Sequence, residues 1–233
     1  MFKQRFQTNS VIMPLIGINV VFFILQMILP EFTTFFILDP KTILYKPFTL
    51  ITSMFLHGSM NHIFFNMYGL MIFGQLLENR IGWKQFLFIY MLAGILAAIG
   101  HSVFELSGAS SLICNMVGGR GCNIIHSALG ASGAIMGMLG TLIILMPELR
   151  LLFFFFIPMS LRTAGIIWIV MDLFGLLNSS NGIGNVAHLV GIFCGLIFGL
   201  YLKKSKKKYY RKFHHKGHIT IEEAEDYSRY GRI

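Results

Sequence analysis

The sequence predicts an all-α, polytopic membrane protein, a bundle of six transmembrane helices with both termini on the inner side. Three observations predict it. Of 233 residues, 55% are hydrophobic and only 12% are charged, against about a quarter charged in an ordinary soluble domain. The apolar residues gather into six stretches separated by Pro, Gly or charged turns. The cations are unevenly placed, with eight of the 19 Lys and Arg between Lys203 and Lys216, directly after the last apolar stretch. The net charge of +9 is therefore read as a juxtamembrane cluster that sets topology and meets anionic lipid, not as a nucleic-acid surface.

Val11 to Leu29 follows Lys3 and Arg5, ends at Pro30 and lacks a small-residue cleavage site. It predicts a first membrane helix rather than a cleaved signal. Glu31 to Pro47 is a mixed loop. Phe48 to Leu77 predicts the second span, unusual in carrying His57, His62 and Asn66. After a turn over Glu78 to Lys84, Gln85 to Val103 makes the third span, with small residues at Ala93, Gly94, Ala97 and Ala98. Phe104 to Ser127 is a Gly- and Ser-rich loop expected to pack on the membrane surface. Gly130 to Met146, stopped by Pro147, is the fourth span and is short against a ~30 Å hydrocarbon core.

Leu151 to Ile157 is aromatic and too short to cross, which puts it at the interface or in the approach to the next helix. Pro158 to Leu177 is the fifth span, with Asp172 inside it, and Val186 to Leu202 is the sixth, after a polar loop over Asn178 to Asn185. The chain divides into a six-helix domain, 1–202, and a basic then acidic cytoplasmic tail, 203–233, where Glu222 to Asp226 suits a short acidic helix. With both termini inside, that side collects Lys3, Arg5, Arg80, Lys84, Arg150, Arg162 and the tail, while the other holds Lys41, Lys46 and Arg120. The positive-inside rule gives N-in, C-in. The loop with Cys114 and Cys122 then faces outward, and the two pair if that compartment is oxidising. Cys194 lies inside a span and reads as packing. No inverted repeat of the transporter kind is present.

Depth along the helices singles out a set of polar residues. At ~1.5 Å per residue, Ser132, fifteen residues above Pro147, lies roughly 22 Å from the inner face. His188, fifteen residues above Lys203, lies at the same level on a parallel helix. Counted up from Glu78, Asn66 and His62 bracket that depth at roughly 18 and 24 Å, and their i, i+4 spacing puts them on one helix face. Gly133 and Gly137 on span four, with Gly130 before them, and Gly191 and Gly195 on span six form small-residue faces that let two helix axes approach. Polar groups at such depth are a functional hypothesis by default. His188 would take the proton of Ser132, the serine oxygen would attack a peptide carbonyl, and the Ser132 N–H with Asn66 and His62 would stabilise the oxyanion.

Gly130-Ala131-Ser132-Gly133, Ala187-His188-Leu189-Val190-Gly191 with Gly195, and His57-Gly58-Ser59-Met60-Asn61-His62 followed by Asn66 resemble the three signature blocks of the rhomboid intramembrane serine proteases. Lys46-Pro47-Phe48-Thr49-Leu50-Ile51-Thr52 resembles the same family. The resemblance spans the second to sixth stretches in order. It implies a six-helix bundle with a water-filled cavity open to the outside, a Ser132–His188 dyad, and an oxyanion hole of His62, Asn66 and the Ser132 amide. It also implies a substrate that is the transmembrane helix of another protein, admitted between spans two and five. Two positions depart from the pattern. Met136 stands one turn after Ser132, where relatives often carry an aromatic ring, which predicts a less firmly held His188. The loop Glu31 to Pro47 has no Trp-Arg pair.

Asp172 falls close to the same layer, and because the family works as a dyad it reads as structural or gate-related rather than as a third reacting group. Phe65 suits a lateral gate and lipid-facing packing equally. His57 reads as a cap or orienting group. A metal site from His57, His62, His101 and His126 is disfavoured, because a five-residue spacing does not align two ligands on a helix. Neither metal nor cofactor is implied, since serine, histidine and water suffice for hydrolysis. The expectation is a multi-pass serine endopeptidase acting on transmembrane protein substrates in a lipid bilayer, in a bacterial inner membrane, its site opening to the outer side. The alternative is a non-catalytic membrane protein of the same fold that binds client helices.

Overall fold

The computed structural model describes residues 10–119, 122, 124–153, 157–177 and 184–214, the last helix with side chains through 205. Lys3, Arg5, Arg120, most of the loop before Asn185 and the acidic end of the tail lie outside the described residues. Six long helices carry the described fold: α1 (Ile12–Ile28), α2 (Met60–Ile81), α3 (Trp83–Leu106), α4 (Ser132–Leu145), α5 (Leu161–Leu176) and α6 (Asn185–His214). Trp83–Leu106 and Asn185–Ser205 are long and apolar enough to cross a membrane, while Ile12–Ile28 and Ser132–Leu145 are apolar but shorter.

Helix boundaries follow from local chemistry. The first turn of α1 takes Pro14, whose missing N–H is an orphan there anyway. Its leading donors are satisfied from another helix: the buried Glu78 carboxylate accepts from Val11 N at 2.9 Å and Ser10 Oγ at 2.6 Å. In α2 the Ser59 hydroxyl caps the His62 N–H at 3.1 Å. The turn from α2 to α3 is one residue, Gly82 at φ +82°, a conformation that favours glycine.

The apolar stretch from Phe48 to Leu77 is not one span. It breaks into the short helical turns Thr49–Thr52 and Ser53–Phe55, an extended Leu56, and only then α2. The backbone groups exposed by the break find a partner in α1, where the Gln26 amide accepts from His57 N at 2.9 Å and donates to His57 O at 3.2 Å. Non-helical backbone within an apolar bundle needs such satisfaction. The approach to α5 also differs from the expectation. Arg150–Phe153 (β1) and Ile157–Ser160 (β2) form an antiparallel pair with Phe153 opposite Ile157, and Pro158 sits in β2, so α5 starts only after the Ser160 cap at Leu161. Phe153 and Ile157, an aromatic and a β-branched residue, face each other across the pair, and such side chains suit extended backbone.

The loop after α3 contains a helix, Ala109–Met116, and a disulfide joins Cys114 to Cys122. Its return is anchored by the buried Glu105, which accepts from His126 N at 3.0 Å and Ser110 Oγ at 3.2 Å. Leu38 and Ala128 then exchange backbone hydrogen bonds, and Gly130 N–H donates to Ser53 O at 2.8 Å. These ties deliver the chain to the start of α4.

Helix α4 is the hub. Gly133 through Leu142 are all buried, the mark of a helix surrounded on every side. On α3 its glycines meet small residues: a Cβ at Gly133 would lie 2.6 Å from Ala97 Cβ, and one at Gly137 would collide with Ala93. On α6 the contact is backbone to backbone, because a Cβ at Gly191 would run into the Gly133 carbonyl and one at Gly195 into that of Gly137. Thr141 Oγ1 lies 2.9 Å from Gly137 O and 3.1 Å from Gly195 O, bridging the two helices.

Candidate active site

The close approach of α4 and α6 decides what the site can be. Ser132 opens α4, so its N–H has no acceptor within the helix. His188 lies in the first turn of α6, and its Nε2 is 2.8 Å from Ser132 Oγ. The other ring nitrogen, Nδ1, is 3.1 Å from Oδ1 of Asp172 on α5. Asp172 is buried, and the His188 side chain is only 22% exposed.

An ionised Asp172 can only accept, an arrangement in which Nδ1 of His188 carries the hydrogen and donates it. Nε2 is then left with its lone pair aimed at the Ser132 hydroxyl. A general base for that hydroxyl needs this tautomer and this distance.

His62 shares a cavity wall with the serine. Gly58 N–H donates to its Nδ1 at 3.3 Å, so the neutral ring carries its proton on Nε2. That nitrogen lies against Gly130, where a Cβ would sit 2.8 Å from it and 3.8 Å from Ser132 Oγ. Asn66 is buried on the same helix and donates one N–H to the His62 carbonyl at 3.0 Å, which leaves the second hydrogen of its amide. A cavity of about 200 Å³ adjoins the group, with Ser53, His62, Gly130, Ser132, Gly133 and Ala187 in its wall.

The structure thus brings together Ser132, His188, His62 and Gly130, with Gly133 and Gly191 directly behind the serine and Gly137 and Gly195 one turn deeper. Phe65 is not among them. It is 63% exposed and faces out of the bundle beside Phe64. The four histidines named as metal ligands separate into two pairs: His57 with His62, ring centroids 5.1 Å apart, and His101 with His126, where His101 Nε2 donates to the His126 carbonyl at 2.9 Å. Asp172, read in the sequence as structural or gate-related from its depth on the fifth stretch, reaches His188. Two participants were given no role there: Gly58 sets the His62 tautomer, and the Ser53 carbonyl holds Gly130.

Comparison with known proteins adds the lineage. Residues 45–205 match the rhomboid domain. RHOMBOID-like protein 12, mitochondrial, of Arabidopsis thaliana is 33% identical over 165 residues, 69% of this chain and 48% of that protein. Presenilin-associated rhomboid-like protein, mitochondrial, of Bos taurus is 32% identical over 155 residues, 65% of this chain and 37% of that protein. Rhomboid protein 1, mitochondrial, of Saccharomyces cerevisiae is 30% identical over 204 residues, 86% of this chain and 55% of that protein. The chain spans about half the length, or less, of these relatives. Their names are mitochondrial, so the bacterial inner membrane expected above finds no support in them. Compactness, the ground for that expectation, does not tell one membrane from another.

Proposed function

The chain belongs to the rhomboid family, and from that premise we propose that this integral membrane protein is a serine endopeptidase that cuts other proteins' transmembrane helices. One observation carries the reading, the 2.8 Å contact between Ser132 Oγ and His188 Nε2. As Oγ attacks the substrate carbonyl carbon, Nε2 takes the hydroxyl proton. The carbonyl oxygen becomes an oxyanion, and this reading assigns it three donors: the Ser132 N–H, His62 Nε2–H and the second N–H of Asn66. The imidazolium returns its proton to the departing amine, and water releases the acyl group by the same steps in reverse order.

The apolar helices are read as six spans with both termini inside, and the site opens toward the outer side. At ~1.5 Å per residue the fourteen residues of α4 reach roughly 21 Å, short of a ~30 Å core, so Ser132 lies below the membrane surface. Substrate helices reach it from the bilayer between α2 and α5, both of which pack on α4. The test is labelling of the detergent-purified chain with a fluorophosphonate probe, together with cleavage of a model transmembrane substrate. Wild type labels and cleaves, while Ser132→Ala and His188→Ala do neither. A wild-type chain that binds the substrate helix without labelling or cleavage sinks the protease reading in favour of a non-catalytic client-binding role.

A further inference from the structure

We infer that Asp172 is a positioning residue for His188, turning the Ser132–His188 pair into a serine–histidine–aspartate triad; this rests on the protease reading above. The argument begins with helix approach. A Cβ at Gly175 on α5 would run into the Asn185 side chain at the head of α6. Asp172 lies three residues before Gly175 and His188 three after Asn185, so each pair shares a helix face. The contact at Gly175 and Asn185 therefore sets the neighbouring pair opposite one another, and Asp172 Oδ1 meets His188 Nδ1 at 3.1 Å.

The chemistry of the pair follows. An imidazole has two neutral tautomers, and only the one protonated on Nδ1 leaves Nε2 able to accept from Ser132. An ionised carboxylate accepts and cannot donate, so it selects that tautomer and fixes the ring's rotation. When the serine proton arrives at Nε2, the ring becomes cationic beside a carboxylate that is only 6% exposed, where opposite charges attract far more than in water. One turn after the serine stands Met136, a flexible thioether rather than a planar ring. The carboxylate moves no proton of its own.

The test compares Asp172→Asn with wild type in the full chain in detergent. Asparagine keeps the volume, yet its amide N–H can donate to Nδ1 and hold the tautomer in which Nε2 cannot accept. The expected result is a kcat lowered about a hundredfold or more, with an equal fall in the rate of fluorophosphonate labelling of Ser132, an unchanged KM and an unchanged unfolding midpoint. Nitrogen NMR of the His188 ring supplies a readout independent of turnover: wild type shows a protonated Nδ1 and a bare Nε2. A wild type protonated on Nε2 overturns the inference. So does an active wild type whose Asp172→Asn variant stays within about threefold of it in kcat. An inactive, unlabelled wild type removes the protease reading and this inference with it.

Discussion

Gly130 and His62 lie against each other: a Cβ on Gly130 would lie 2.8 Å from both Cε1 and Nε2 of the His62 ring, at a backbone φ of +120°. The residue before the loop's last turn thus lets the imidazole lie against the main chain at the serine.

Gly130→Ala is expected to fail on both counts. The side chain strains a backbone that favours glycine, at about 1–3 kcal/mol, and pushes the His62 ring away from the main chain at the serine. On the proposed mechanism, kcat falls about a hundredfold or more, as for loss of an oxyanion donor. Kinetics on a model transmembrane substrate check it, with His62→Ala showing a loss of similar size.

The α4–α6 contact gives a paired prediction. Gly195→Ala drives a methyl into the Gly137 carbonyl, backbone that cannot step aside without parting the helices. A loss of about 1–3 kcal/mol is expected, in the range of overpacked cores. Gly17→Ala, an exposed position on α1 with nothing within 4 Å, is expected to leave the fold unharmed or slightly more stable. Thermal unfolding in one detergent compares the two.

Glu78→Ala removes the acceptor for Val11 N–H and Ser10 Oγ–H. The start of α1 loses its cap, and a loss of about 1–3 kcal/mol is expected. Hydrogen exchange at the first turn of α1 rises, while exchange in α4 holds.

The disulfide between Cys114 and Cys122 closes a short loop, eight residues apart in sequence. Replacing both with serine is expected to cost about 2–3 kcal/mol on the chain-entropy account. Limited proteolysis then cuts between α3 and α4 faster than in the wild-type chain, with α3 and α6 still protected.

The shared level of Ser132, His188 and Asp172 was legible in the sequence, because helical rise is constant, and the three meet in the structure. Rotation about each axis was less legible, since neighbours set it. Ser132, His188 and His62 point inward in the structure; Phe65, adjacent to Asn66, points out. Asp172 was placed at the right level, yet its contact with His188 depends on how closely α5 and α6 approach, a quantity no single helix encodes. Hydropathy also hid the break before α2. The stretch from Phe48 to Leu77 is apolar throughout, and only Gly58 with the Ser59 cap marks where the helix restarts. The β1–β2 pair escaped for a similar reason, as a short aromatic run carries no period that separates strand from buried coil.

Gln26 gives the first helix a part in all this. That helix lies outside the region shared with the rhomboid domain, yet its Gln26 amide holds both main-chain groups of His57, whose ring packs against His62. An unrelated greasy segment grafted in its place would restore the anchor and lose the clasp, so chimaeras of this protein should be joined after the loop, not before it.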